Sequence, residues 1–268
     1  MTSVTIIGCG WLGFPLATSL IQQGYFVKAN KRQQQDLAML TQAGIEAYQF
    51  DLASEKSMAS AKKLLDSDML VISIPPGLRR GETDYLANLA ALTSAIGDKH
   101  YQRIIFVSTT GVYPNEDRIM TEDDAHPHSP VSDTLLQAES IFASMNNSCI
   151  VRFAGLVGPK RHPGRFFAGK RDVSGGNVAV NLVHLDDCIA ALSLILRAPK
   201  VANVYNICAP EHPTKAMFYT YAASHLGEIA PEFNQQTAPS KLIDGNLICQ
   251  QLGFSYGHPN PIKMLDAC

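Results

Sequence analysis

Val4-Thr5-Ile6-Ile7 runs straight into Gly8-Cys9-Gly10-Trp11-Leu12-Gly13, and Leu12, Leu16 and Leu20 then recur at helical spacing. A short β-branched run, a G-x-G-x-x-G turn and an amphipathic segment together predict strand, turn and helix. In such a unit the first glycine allows the sharp turn and the second removes the side chain where a pyrophosphate approaches. The third lets the helix pack close on the strand. The helix start offers N–H groups and positive dipole charge to phosphates. Glycine patterns of six residues also arise by chance in surface turns, so the flanking strand and helix are what give this one its weight.

Outward from that turn, strands and helices alternate through the first 150 residues. Tyr25–Ala29 reads as the second strand, Asp36–Ala43 as a helix and Glu46–Gln49 as a short third strand, ahead of a helix running through Lys62, Lys63 and Leu64. The unbroken apolar run Met69–Ile74 suits a strand buried on both faces of a parallel sheet. Tyr85, Leu89, Leu92 and Ile96 recur at helical spacing. Ile104–Val107 and Cys149–Val151 read as strands, with a helix over Leu135–Phe142 between them. After residue 152 the regularity loosens. Residues 153–177 are rich in Gly, Pro and basic side chains, Val178–Val183 reads as a strand, Asp186–Leu196 as a helix and Val204–Ile207 as a strand. Six prolines between 210 and 261 punctuate two short helical stretches. The pattern predicts an α/β doubly wound parallel sheet, with residues 1–152 as its core. Residues 153–268 complete the sheet and form a small lobe, within one unit over 1–268.

Composition narrows the function classes. With 46% hydrophobic and 17% charged residues and a formal charge of −2, the chain has no global electrostatic reason to bind nucleic acid or an anionic membrane. No apolar run approaches the roughly 18–20 residues that span a bilayer, and the start of the chain does not read as a signal peptide. The six cysteines are scattered without a C-x-x-C pair, as expected of reduced thiols in a cytoplasmic protein.

Taken in order, these segments resemble the short-chain dehydrogenase/reductase superfamily in its extended, epimerase/dehydratase-like form, nearly end to end. The resemblance rests on the glycine loop and on Val107-Ser108-Thr109-Thr110-Gly111-Val112-Tyr113, similar to the family's strand-five segment. It rests also on Arg152–Pro159 and on Val183-His184-Leu185-Asp186-Asp187. It implies a Rossmann sheet with a C-terminal substrate lobe and a dinucleotide held by Gly8, Gly10, Trp11, Leu12 and Gly13. Asp51 and Leu52 would face the adenine, and Ile74, Pro75 and Pro76 would line the ribose. Homodimers paired through a helix bundle are a further implication. In NAD-selective proteins a carboxylate ends the second strand. Here the stretch is Lys28-Ala29-Asn30-Lys31-Arg32, with no carboxylate before Asp36. Arg32 or Lys31 suits a 2′-phosphate, so Asn30, Lys31 and Arg32 favour NADP(H), with NAD(H) second.

The family's chemistry depends on a Tyr and a Lys four residues later, commonly after Ser-Pro and with a Glu eight residues beyond the Tyr. Here Ser129-Pro130 is followed by Val131 and Leu135, with Glu139 in place, and residues 126–144 hold neither Tyr nor Lys. The Asp-Glu pair of the dehydratase members is likewise replaced by Thr110 and Gly111. Thr109 keeps the hydroxyl that relatives use to hold the substrate oxygen, unless it only caps the strand. Tyr113 offers an acid/base group at the right end of the sheet, unless it is packing. Glu122–His128 is rich in titratable groups but suits a solvated loop better than a zinc centre, and no metal site is expected. The basic stretch Lys160–Arg165 reads as a solvated face or, through Arg161 and Arg165, as a contact for an anionic small-molecule substrate. Two functions follow: an NADP(H)-dependent oxidoreductase with an altered acid/base group, or a non-catalytic NAD(P)-binding redox sensor.

Overall fold

The computed structural model describes residues 1–77, 81 and 83–268. Seven strands form one sheet: β1 (Ser3–Ile7), β2 (Phe26–Lys31), β3 (Glu46–Gln49), β4 (Met69–Ile72), β5 (Arg103–Thr109), β7 (Ser148–Phe153) and β10 (Val204–Ile207). Two-residue β6 (Ile119–Met120) intervenes in the numbering, as do β8 (Gly155–Val157) and β9 (Leu182–His184). The parallel sheet runs β3-β2-β1-β4-β5-β7-β10. The order reverses between β1 and β4, whose register pairs Ile7 with Ile72. In open α/β sheets that reversal leaves a crevice at the carboxyl ends of the strands.

Helices α1 (Gly13–Gln22), α2 (Leu37–Gln42), α3 (Glu55–Leu65), α4 (Tyr85–Ile96) and α5 (Pro130–Ala143) alternate with these strands. Sequence periodicity and burial agree where the apolar faces are long. All four residues of β4 are buried, and so are Tyr85, Leu89, Leu92 and Ile96 along α4. Leu70 and Ile72 of β4 and these four α4 residues join Leu64, Ile104 and Phe106 in a core where the Phe106 and Phe142 rings stack at 4.5 Å. The start of α5 is fixed locally. Ser129 Oγ accepts the Ser132 N–H, Ser132 Oγ accepts the Ser129 N–H, and Pro130 follows the cap.

The chain divides into two compact units. The first comprises Met1–Ser108, Ser129–Val151 and Leu192–Val204, and the second Thr109–His128, Arg152–Ala191 and Tyr205–Cys268. In the second unit β8 pairs in parallel with β9, and a core forms around Val157, Leu182, Phe218, Ala222 and Leu265. The remaining elements are α6 (Leu185–Arg197), α7 (Lys215–His225), α8 (Leu247–Leu252) and β11 (Leu242–Ile243), which pairs with β6.

The strand expected over Val178–Val183 is shorter than its sequence suggests: only its end enters β9. Upstream, the Val180 N–H bonds the Pro213 carbonyl and the Ala179 N–H bonds Ser240 Oγ, so those residues pair with loops. Among the described residues no helix is long and apolar enough to cross a membrane.

Candidate functional site

The turn between β1 and α1 is shaped by its three glycines in three different ways. Gly8 has φ +96°, and a Cβ there would lie 2.2 Å from the Ser73 carbonyl oxygen. A Cβ on Gly13 would meet the Gly8 carbonyl oxygen at 2.5 Å, so the helix can approach the strand only without one. At Gly10 an added Cβ meets nothing within 4 Å. Two glycines are thus demanded by the protein's own backbone, and the third keeps an open face clear.

The loop is pinned from β2. Asn30, 8% exposed, accepts the Gly8 N–H through Oδ1 (2.9 Å) and donates from Nδ2 to the Phe50 carbonyl (2.9 Å). Its geometry is that of a clamp between the glycine loop and the end of β3. Lys31 is half-buried, and its charge acts to lower the pKa of the Cys9 thiol, which burial nonetheless pushes up to about 11. Arg32 is exposed, with its carbonyl accepting from Gln49. Half-buried Asp51 accepts the Ala53 N–H, while Leu52 and Ile74 pack on the core of the first unit. Pro75 is exposed and Pro76 half-buried, just beyond the Ser73 carbonyl that faces Gly8. Trp11 is half-buried and Leu12 buried.

The expected positions of the missing acid/base pair lie in the first two turns of α5. Val131 is 52% exposed and Leu135 only 5%. Glu139, one helical stretch further, is buried and accepts from Ser108 Oγ at 2.5 Å. The scaffold around the pair is therefore intact where its chemistry is not.

In the second unit, Thr109 caps the short turn Thr110–Val112, its Oγ accepting the Gly111 N–H at 3.2 Å. Its own proton is given to no acceptor among the described residues. Tyr113 is fully buried: its hydroxyl donates to Asn206 Oδ1 (2.7 Å) and accepts from Arg152 Nη1 (2.7 Å). Burial raises its pKa to about 12 against the opposing Arg152 charge. Arg152 Nη1 also donates to the Glu122 carbonyl (2.8 Å).

Of the basic stretch, exposed Arg161 bonds the Gly158 carbonyl through its N–H, and Arg165 pairs with Glu228 at 3.3 Å on the surface. His184, Asp186 and His258 lie close together, His184 Nδ1 accepting the Asp186 N–H at the start of α6 and the two imidazoles tilted at 40° with their centroids 3.9 Å apart. A residue that sequence reasoning missed is Lys241, whose Nζ donates to the carbonyls of Tyr113 (2.6 Å) and Thr110 (3.3 Å). No spacing pattern signals it, since its partners lie some 130 residues upstream.

Comparison with known proteins bears on this geometry. The model of a family described as NAD(P)H-binding matches residues 8–184, from the first glycine of the loop to the end of β9. The chain belongs to that family. Protein YeeZ of Escherichia coli K12, a relative of this family member, is 40% identical over 275 residues, covering 98% of this chain and 99% of YeeZ. Solved structures extend the likeness at the level of fold. A functionally unknown conserved protein from Silicibacter pomeroyi superposes with a TM-score of 0.80 at 23% identity, covering 100% of this chain and 98% of that one. UDP-glucuronic acid 4-epimerase from Bacillus cereus, solved with UDP-glucuronic acid and NAD, superposes with a TM-score of 0.79 at 18% identity, covering 99% and 97%. This NAD(P)H-binding chain thus has the architecture of the extended short-chain dehydrogenase/reductases and of the NAD-dependent epimerases and dehydratases.

Proposed function

We propose that the protein is an NADP(H)-dependent, epimerase/dehydratase-like oxidoreductase acting on a small anionic substrate. The observation that carries this reading is the open face at Gly10 between two glycines fixed by backbone contacts. Open space over that glycine, just before α1, suits the close approach of a pyrophosphate. Gly8, Gly10, Trp11, Leu12 and Gly13 would hold the diphosphate, Asp51 and Leu52 the adenine, and Ile74, Pro75 and Pro76 the ribose. Asn30 serves best as the residue that positions the loop.

The exposed Arg32 guanidinium and the Lys31 ammonium, with no carboxylate on β2, favour a 2′-phosphate. Once bound, the nicotinamide supplies or accepts a hydride. On the protein's side, the Thr109 hydroxyl has a proton to give a substrate oxygen. We assign Tyr113 to holding Arg152 and Asn206 in place, because both sides of its hydroxyl are engaged and burial keeps it protonated. The NAD and sugar-nucleotide acid bound by the Bacillus cereus epimerase support the dinucleotide and the anionic class of substrate.

One observation favours a second reading. Val131 and Leu135 carry no proton, as suits a protein that binds the dinucleotide as a redox sensor. Hydride exchange between NADPH and a panel of carboxylated and phosphorylated carbonyl compounds separates the two. The enzyme reading expects turnover that falls in Thr109→Ala. Tight NADPH binding with no exchange on any compound would leave the sensor.

A further inference from the structure

Lys241 stands immediately before β11, and the Asn181 side chain fixes it from both sides. Asn181 Nδ2 donates to the Lys241 carbonyl (3.0 Å), and Asn181 Oδ1 accepts the Ile243 N–H (2.9 Å). The lysine side chain is therefore anchored by its own backbone as well as by its tip. Its Nζ is held against the turn that follows β5 by the Tyr113 and Thr110 carbonyls.

An ammonium has three donors, and two are accounted for. Among the described residues no carboxylate lies within ion-pair distance of Nζ. The side chain is half-buried, and desolvation lowers its pKa from the ordinary lysine range with no neighbouring charge contributing. A partly desolvated cation without a counter-charge is unfavourable for folding alone, and two neutral carbonyls compensate it only in part. One residue along the same turn, Thr109 Oγ accepts the Gly111 N–H and keeps its own proton to donate. The Thr109 hydroxyl thus opens the turn against whose carbonyls the Lys241 ammonium is held, at the carboxyl end of a strand, where ligands of open α/β sheets bind.

We propose that Lys241 and Thr109 form an anion site that receives a carboxylate or phosphate oxygen of the substrate. Its existence stands on the second unit's own residues, while its use for a substrate rests on the oxidoreductase reading above. A bound anion would supply the counter-charge that Lys241 lacks and accept its third donor in a charge-assisted hydrogen bond. A lysine that merely ties down two carbonyls would have no such affinity.

Pulse labelling of the intact protein with a neutral N-hydroxysuccinimide ester, read lysine by lysine by mass spectrometry, tests this at constant ionic strength. An anion held at Lys241 keeps the amine protonated and slows its labelling about tenfold. Inorganic phosphate and acetate are the probes, and exposed Lys200 and Lys263 are the controls. Protection of Lys241 alone by phosphate points to a phosphorylated ligand, and by acetate to a carboxylate. Thr109→Val, checked for folding by circular dichroism, is expected to weaken that protection. Equal behaviour of Lys241, Lys200 and Lys263 with both anions would overturn the site, and undiminished protection in Thr109→Val would remove Thr109 from it. NADPH titration of Lys241→Gln, followed through Trp11, keeps the readings apart. Loss of the anion site leaves cofactor binding standing, and absent cofactor binding leaves the labelling result standing.

Discussion

The turn after β1 and the first turns of α5 are both landmarks of the family, and they have fared differently. In the turn, shape is carried by backbone: φ at Gly8, close approach at Gly13 and an open face at Gly10. At the start of α5, where the resemblance to the short-chain dehydrogenase/reductases implies two proton-handling side chains, Val131 and Leu135 stand while the capping box and the Ser108–Glu139 bond are in place. Packing and capping preserve a helix whatever its outward residues are. The backbone shape of the turn and the side chains of α5 are therefore separable in this chain.

The hardest blow to the turn should come from Gly8→Ala. A Cβ at φ +96° overlaps the Ser73 carbonyl, and left-handed strain plus backbone displacement should cost about 3 kcal/mol or more, read by urea unfolding. A loss below about 1 kcal/mol would mean the turn is not built as described. Rebuilding the lost pair sharpens the other side of the comparison. Leu135→Lys places an ammonium where Leu135 is 5% exposed and should cost about 2–4 kcal/mol. Val131→Tyr, at a half-open position, should stay within about 0.5 kcal/mol. Equal costs would show that the helix faces are misassigned.

Tyr113→Phe should destabilise the protein by about 1–3 kcal/mol, because Asn206 Oδ1 loses its donor and Arg152 loses an acceptor in a buried network. NADPH affinity should be unchanged, so a variant as stable as the parent would contradict the positioning role. Arg32→Ala should weaken NADPH about tenfold and leave NADH alone, the loss of one charge-assisted contact to a 2′-phosphate. Equal weakening of both would remove the NADP preference.

The smallest effect is a pH dependence. Hydrogen bonds from Arg118 and Thr121 hold the Asp124 carboxyl well below its ordinary range. Its folded pKa lies below its unfolded one. Its contribution is therefore complete at neutral pH and is lost as pH falls through the carboxylate range. Because the group is solvent-screened, Asp124→Asn should only flatten the acid limb of the stability curve slightly.

Long apolar faces were legible in the sequence because burial repeats along them, as at Met69–Ile72 and along Tyr85–Ile96. The glycine loop was legible because backbone geometry dictates residue type. The short strands β6, β8 and β11 carry too few residues to show a period, and their partners are distant in the chain. Asn30 was read as a cofactor contact from its place at the end of β2, yet its hydrogen bonds go to Gly8 and Phe50, a tertiary fact. Lys241 was invisible for the same reason, since only folding brings it to Thr110 and Tyr113.

The proposed function places a dinucleotide at the open face of Gly10. Trp11 is the only tryptophan in the sequence and directly follows Gly10, so its fluorescence is the probe for NADPH. Saturable quenching by NADPH is expected in the parent protein. Gly10→Ala should weaken that quenching at an unchanged urea midpoint, because an added Cβ meets nothing within 4 Å, and Gly10→Val should abolish it. An unaltered affinity in Gly10→Val, or no saturable response in the parent, would contradict that placement.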